Sequence, residues 1–317
     1  MSRVLVVGVG RMGFAHAKAC ASLNGNEIVG LVARDFSKWP EVTSYFPDVA
    51  LYNDFYKALT FTKPDAVLIS SYTDTHAEYS IASMKAGADV FVEKPLALNV
   101  KDAGRVINAA RQYRRKLYVG YILRHHALWK KFVACAKTLE GPLKVTMTCN
   151  QHSTGTEWQL HKNILNAGLS PLVDAGIHYV DLMSQLTDGE LTDIKAVGVK
   201  SSDDMIVENE TNMTIRYSDG SVMYFESGFG PNIDQDDIPV KTAIGPSGYA
   251  EITPSDTVVI NDVEHNFKQN EYDLSILAQQ KYFFDAIEQD KDLEDHWKDV
   301  ALSLATVLVA EDEMNNK

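Results

Sequence analysis

The sequence predicts an α/β protein in two parts. Residues 1–121 read as a doubly wound parallel sheet, and residues 122–317 as an α+β domain with a large open, mostly antiparallel sheet. Three observations carry this. Short apolar runs alternate with helical stretches up to residue 121, the pattern of a parallel sheet with helices on both faces. The first run passes directly into Gly8-Val9-Gly10-Arg11-Met12-Gly13 and then a helical stretch. Beyond residue 121 the strands lengthen, alternate and are separated by turn residues, as in a sheet with one covered face.

Size and composition agree with two ordinary globular domains: 317 residues, 45% hydrophobic and 23% charged. The net charge is −13, with no basic run longer than Arg114-Arg115-Lys116. Nucleic acid and membrane are therefore not expected as partners, while a small anionic ligand needs only a local positive site. Cys20, Cys135 and Cys149 are scattered and odd in number, so neither a disulfide framework nor a metal site is expected, and the compartment is expected to be cytoplasmic. Met-Ser-Arg leads straight into a strand without a signal-peptide pattern. The apolar run Val300–Ala310 is too short to cross a bilayer and fits a buried helix.

In chain order, Val4-Leu5-Val6-Val7 is a fully apolar strand. After it, Gly8 allows a tight turn, Gly10 allows backbone to approach a pyrophosphate, and Gly13 allows close helix–strand packing. A helix from Phe14 to about Leu23 follows, and its N-terminus, with Arg11 and Met12 just ahead of it, offers free N–H groups and a partial positive charge to the phosphates. The second strand, Glu27–Val32, leads into Ala33-Arg34-Asp35-Phe36-Ser37-Lys38. An NAD site usually carries an acidic residue at the end of this strand. Here Ala33 leaves room and the Arg34 guanidinium can fork onto a 2′-phosphate. NADP(H) is thus expected in preference to NAD(H), although Asp35, two positions on, keeps NAD(H) open. Asp54–Leu59 reads as helix, and the strand Ala66–Ser70 brings Ser71 and Tyr72 to the cofactor edge. The helix Ala77–Ala86 is expected to be capped by Asp74 or Thr75. His76 is expected to pack near the cofactor rather than to act as a base.

The apolar run Val90-Phe91-Val92 ends abruptly in Glu93-Lys94-Pro95. Ligands of an open parallel sheet bind beyond the carboxyl ends of its strands, so Lys94 stands where a ligand would meet a charge. Taken alone, it reads as well as a solvated lysine at a strand end. Asn99 or Lys101-Asp102 starts an amphipathic helix (Ala103, Val106, Ile107, Ala110), and Leu117–Tyr121 is the last short strand.

In the second part, a helix over Leu128–Leu139 precedes strands at Leu143–Cys149, Leu191–Lys200, Glu210–Tyr217, Ser221–Gly228, Val240–Ile244, Gly248–Ile252 and Thr257–Ile260. Helices at about Tyr272–Gln289 and Lys298–Met314 close the chain, and they are allowed to pack back on the first domain. Within Pro171–Met183, Val173, Ile177 and Val180 have helical spacing. Asp174 and His178 then share a helix face, with Asp181 one turn beyond. An aspartate one turn from a histidine can fix its tautomer or raise its pKa. The same pair also reads as a dipole-serving aspartate and a structural histidine.

Together, Gly8-x-Gly10-x-x-Gly13, Glu93-Lys94-Pro95 and Asp174-x-x-x-His178 resemble the Gfo/Idh/MocA family of NAD(P)-dependent oxidoreductases, over nearly the whole chain. The resemblance implies a Rossmann domain followed by a substrate-binding domain, and activity on sugars, cyclitols and related polyols. It places Lys94 between nicotinamide and substrate and Glu93 by the nicotinamide ribose, and it matches Asp174 and His178 to the second-domain motif. Val119–Arg124 is similar to the family's domain-crossing segment, which brings Tyr121 and Arg124 toward substrate. Three places depart from the family pattern: Ser71-Tyr72, Ala33 and Gly168-Leu169-Ser170-Pro171.

Hydride exchange with a secondary alcohol needs an acid/base at the carbinol oxygen and positive or donor groups where alkoxide charge develops. His178 is expected to exchange the proton and Lys94 to polarise the oxygen, with the reverse assignment open. Asp174 would orient His178 or bind a neighbouring hydroxyl. Trp158, and also His152, from a loop spanning Gln151–His161, would meet substrate hydroxyls. The alternatives are a trans-dihydrodiol, dicarbonyl or biliverdin-type reductase, or a silent NAD(P)-binding regulator. The open sheet predicts a homodimer or homotetramer formed through its uncovered face.

Overall fold

The computed structural model describes residues 1–202, 205–233, 241–266 and 271–315. The first part runs β1 (Ser2–Val7), α1 (Arg11–Ser22), β2 (Asn26–Val32), α2 (Pro40–Tyr45), β3 (Leu51–Tyr52), α3 (Phe55–Thr62), β4 (Ala66–Ile69), α4 (Thr73–Lys85), β5 (Asp89–Val92), α5 (Val100–Tyr113) and β6 (Leu117–Val119). Its six strands lie in the order β3-β2-β1-β4-β5-β6, and each pairing is parallel. The order reverses direction between β1 and β4, and that switch point is where such sheets open a crevice. Val4–Val7, Ala66–Ile69 and Val90–Val92 are all buried, as strands covered by helices on both faces must be.

Helix starts follow their caps. Asp54 accepts from the Lys57 N–H at 2.7 Å ahead of α3, and Asn99 accepts from the Asp102 N–H at 2.8 Å ahead of α5. The expected cap of α4 is corrected. That helix starts at Thr73 behind Tyr72, with no side-chain cap. Asp74 and Thr75 already lie inside its first turn, and Thr75 Oγ1 donates back to the Tyr72 carbonyl at 2.7 Å.

The chain continues with α6 (Ala127–Ala136), β7 (Lys144–His152), α7 (Gly155–Asn166), a π-helical turn (Leu172–Gly176), α8 (Ile177–Ser184), β8 (Leu191–Val199), β9 (Glu210–Tyr217), β10 (Val222–Gly230), β11 (Lys241–Gly245), β12 (Gly248–Ile252), β13 (Thr257–Ile260), β14 (Val263–Asn266), α9 (Glu271–Glu288) and α10 (Glu294–Asn315). Val240, expected to open β11, lies outside the described residues. Among the described residues, the second sheet has eight strands in the order β14-β13-β12-β11-β7-β10-β9-β8. All its pairs are antiparallel except β7 with β10. Met213, Ile215, Met223, Phe225, Ala243 and Ala250 line its buried face. Val197, Tyr224 and Ile244 are exposed on the other.

Two expectations for this part change. The expected loop Gln151–His161 is the end of β7 followed by α7, whose Trp158, His161 and Leu165 recur at helical spacing. The strand β14 was not foreseen. Asn261 (φ 44°) and Asp262 (φ 69°) form a two-residue turn between Ile260 and Val263. Positive φ at both turn residues is the geometry that matches strand twist in tight hairpins.

The chain forms two compact units. The first comprises Met1–His125 and Tyr272–Ala301, the second His126–Glu271 and Leu302–Lys317. In the first, α9 sets Phe283 edge-on to Phe91, with ring centroids 6.0 Å apart. The start of α10 completes β6: Trp297 Nε1 donates to the Leu117 carbonyl at 2.7 Å, and His296 Nε2 accepts from the Val119 N–H at 3.0 Å. Among the described residues, no helix is long and apolar enough to cross a membrane.

Candidate active site

In the first unit the site is built at the carboxyl ends of β1, β4 and β5. Gly8 has φ +83°, and a Cβ there would stand 2.5 Å from the Ser70 carbonyl oxygen. A Cβ on Gly13 would fall 1.8 Å from the Gly8 carbonyl oxygen. Only glycine fits at either position. Gly10 caps α1 without a side-chain hydrogen bond, and the first turn of the helix holds no acidic residue. An uncapped helix start with an open glycine in front of it presents N–H groups and partial positive charge to an anion. The nearest atoms to a Cβ on Gly10 would be the Trp39 ring at 3.7 Å. Arg11 and Met12 form that first turn, and the Tyr272 hydroxyl donates to Met12 Sδ at 3.1 Å. The residues present therefore fit a dinucleotide pyrophosphate.

At the edge of β2, the Arg34 guanidinium lies over the Tyr72 ring, 4.6 Å from its centroid. Ala33 beside it carries only a methyl group. Asp35 turns into its own loop, where it accepts from the Ser37 N–H at 2.9 Å and the Ser37 hydroxyl at 2.6 Å. Those bonds to Ser37 hold its carboxyl below the usual range.

Beyond β5, Glu93 is buried. Its Oε1 lies 2.7 Å from His16 Nε2, and its Oε2 accepts the Lys94 N–H at 3.2 Å. The Lys94–Pro95 peptide bond is cis. His76, on α4, is fully buried. Its Nδ1 lies 2.8 Å from the Pro95 carbonyl oxygen and its Nε2 3.0 Å from that of Ser71. It therefore joins the loops that follow β4 and β5, and burial pushes its pKa down. Ser71 Oγ bonds Thr75 Oγ1 at 2.6 Å. Tyr121 is fully buried, and Arg124 Nη2 donates to Asp299 Oδ2 at 2.7 Å.

In the second unit, Asp174 lies in the π-helical turn and His178 in the first turn of α8. The wider turn changes the angular spacing expected from an unbroken α-helix. Asp181, one turn on, is buried. Trp158, on α7, packs against the cluster of Leu165, Ala175 and Phe229. His161, from the same helix, stacks on Phe229 with centroids 4.5 Å apart, and its Nδ1 bonds Ser153 Oγ at 2.9 Å. Burial lowers the His161 pKa, opposed by the charge of Asp174. Cys149 is also within the field of Asp174, and burial pushes its thiol up. His152 is occupied through Nδ1 by the Ile233 carbonyl at 3.1 Å.

The glycines, Arg11, Met12, Ser71, His76, Glu93 and Lys94 thus belong to one sheet edge of the first unit, with Arg34 and Tyr72 stacked beside them. Asp174, His178 and Trp158 belong to the second unit. Sequence reasoning missed His16, Gln280 and Tyr272 in the first unit and His161 in the second. His16 was readable as a polar residue on the inward stripe Gly13-His16-Ala17-Cys20 of α1, where a buried ring needs a partner. Gln280 and Tyr272 come from the far end of the chain and carry no such local signal.

Two family models match the chain. One, described as "Oxidoreductase family, NAD-binding Rossmann fold", covers residues 2–121, and the other, the GFO/IDH/MocA C-terminal domain, covers residues 136–238. The chain is 27% identical over 237 residues to inositol 2-dehydrogenase 3 of Saccharopolyspora erythraea, which covers 73% of this chain and 65% of that protein. It is 24% identical over 287 residues to D-glucoside 3-dehydrogenase of Escherichia coli, covering 83% and 80%. The match thus spans just under two thirds of the first relative's length. The fold is shared with the scyllo-inositol dehydrogenase of Lactobacillus casei, solved with bound NAD(H) and scyllo-inositol, at a TM-score of 0.82 and 16% identity over 100% of this chain and 97% of that one.

Proposed function

The chain belongs to the Gfo/Idh/MocA oxidoreductases, and from that premise we propose that it moves a hydride between NADP(H) or NAD(H) and a secondary alcohol or ketone of a sugar, cyclitol or related polyol. The observation that carries the proposal is Glu93-Lys94-Pro95 at the end of β5, on the sheet edge that holds the glycine turn. The inositol and glucoside dehydrogenases among its relatives support the substrate class.

Gly8, Gly10, Arg11, Met12 and Gly13 hold the pyrophosphate on the start of α1. Ser71, Tyr72 and His76 shape the neighbouring loop, and Glu93 serves the ribose next to the nicotinamide. When bound, the nicotinamide donates or accepts the hydride. Lys94 donates to the substrate oxygen and stabilises the negative charge that develops there. His178 exchanges the proton of that oxygen, and Asp174 holds the ring or binds a neighbouring hydroxyl. Tyr121, Arg124 and Trp158 are assigned to the substrate side.

NADP(H) is preferred in this reading. Arg34 provides a guanidinium at the strand end where an NAD site offers a carboxylate, and Asp35 is engaged by Ser37. The uncovered face of the second sheet, with Val197, Tyr224 and Ile244 exposed, suits pairing with a second copy as a homodimer or homotetramer.

The deciding experiment is steady-state oxidation of a panel of cyclitols, sugars and dicarbonyl-derived alcohols with NADP⁺ and NAD⁺, with the reverse reactions run alongside. Turnover of a cyclitol or sugar is expected. No turnover on any member, with the cofactor still bound, would reject the enzyme reading.

A further inference from the structure

Helix α1 buries His16 completely, with its ring centroid 4.7 Å from that of Phe91. Gln280, on α9, places its Nε2 2.9 Å from His16 Nδ1. With that amide donating, Nδ1 accepts, and the ring carries its proton on Nε2, 2.7 Å from Glu93 Oε1. The second Glu93 oxygen accepts the backbone N–H of Lys94 at 3.2 Å. One line of hydrogen bonds therefore runs from α9 through α1 to the turn after β5. The space around the carboxylate is closed: a Cβ on Gly120 would stand 3.1 Å from Glu93 Oε1 and 3.2 Å from Gln279 Nε2.

A glutamate's terminal torsion is broad, so burial alone does not choose which way its oxygens point. A buried carboxylate is also costly unless donors satisfy it. His16 meets both requirements, and Gln280 sets the tautomer that lets it donate, as an outer partner does for a metal-bound histidine. His16 lies one turn beyond the glycine turn on the same helix. The element that would hold the pyrophosphate is thus the element that aims Glu93.

We propose that His16 and Gln280 are positioning residues, holding the Glu93 carboxylate in the orientation that anchors the Lys94 backbone and so sets Lys94 for reaction. The proposal rests on the role given to Lys94 above.

The test compares His16→Leu, which removes the donor, with His16→Gln, whose amide nitrogen reaches about as far as Nε2. His16→Leu is expected to lower kcat about 10- to 100-fold, the scale of a small misplacement of a reacting group. Its KM for the cofactor should stay within about 3-fold, since uniform binding is not what is lost. His16→Gln should recover most of the lost kcat. In a Glu93→Ala background, His16→Leu should cost little more, because the acceptor it serves is gone. Gln280→Leu leaves both partners in place and should show the same signature at smaller size. Wild-type kcat in both His16→Leu and Gln280→Leu, or His16→Gln as impaired as His16→Leu, would overturn the proposal. Nitrogen-15 NMR of the imidazoles in the full-length protein decides the tautomer without any substrate. The His16 proton is expected on Nε2 with Nδ1 accepting, and a proton on Nδ1 would overturn the relay. If the wild type turned over no substrate, the functional reading would fail, while the ring signals would still judge the relay.

Discussion

His76 Nδ1 lies 2.8 Å from the Pro95 carbonyl oxygen, and its Nε2 lies 3.0 Å from that of Ser71. A single buried ring thereby ties together the two loops that follow β4 and β5. Burial disfavours the charged ring, so the neutral imidazole donates to one carbonyl at a time. His76→Leu removes that donor and leaves buried acceptors. It should destabilise the protein by about 1–3 kcal/mol. Urea denaturation measures this, and an unchanged midpoint and slope would mean that the bridge carries no net stability.

Lys94→Ala and His178→Ala should each lower kcat by roughly 10²–10⁴-fold, the usual scale of acid–base loss. The dissociation constant for the reduced cofactor, followed by its fluorescence, should change little in either variant. Near-normal turnover in both would dispose of the assigned roles.

Arg34 stands at the end of β2, and the proposed preference for NADP(H) rests on it. The wild type should show a higher kcat/KM with NADPH than with NADH. Arg34→Ala should reduce the NADPH value by about 10-fold or more, the loss of a charge-assisted contact of about 1.5–3 kcal/mol, and leave NADH nearly untouched. A wild-type preference for NADH would reject this assignment.

Two glycines with opposite surroundings form a paired test. A Cβ on Gly13 would lie 1.8 Å from the Gly8 carbonyl oxygen, whereas a Cβ on Gly104, inside α5, meets nothing within 4 Å. Gly104→Ala should stabilise the protein by about 0.5–1 kcal/mol through helix propensity. Gly13→Ala must displace the glycine turn, and it should lower Tm and weaken cofactor binding together. Equal effects of the two substitutions would contradict the packing described for the turn.

Glu311, on α10, is buried and accepts a hydrogen bond from the Ser170 hydroxyl. Burial raises its pKa to about 7, aided by Glu208 and Asp312 and opposed by Ser170. The sign follows from a raised carboxyl: the folded state holds the proton more tightly than the unfolded chain does. The stability it contributes is complete below the unfolded value near 4.5 and is lost as pH rises through about 7. Glu311→Gln should therefore gain on the wild type between pH 5 and 8, by an amount of order 1–3 kcal/mol. Parallel pH profiles of Tm for the two proteins would sink this prediction.

Much of the fold was readable because strand and helix periods report burial directly. The bounds of β9, β12 and β13 follow from alternation and turn residues alone. Polar and aromatic content made Gln151–His161 read as a loop, although Trp158, His161 and Leu165 repeat at helical spacing. The π-helical turn under Asp174 was not legible, because apolar spacing over five residues does not separate an i→i+4 from an i→i+5 bond pattern.

The parallel sheet, the glycine turn and the placement of Lys94 at a strand end were all determined locally, by a run of apolar residues and the few residues after it. What holds those groups in place was decided by the tertiary structure. His16 meets Glu93 across 77 positions, and Gln280 meets His16 across 264. Periodicity tells which side chains are buried, since burial follows the face of an element. It does not tell which donor a buried carboxylate will find, because that depends on where distant segments close against one another. The sequence placed Glu93 before Lys94, and folding brought α1 and α9 around it.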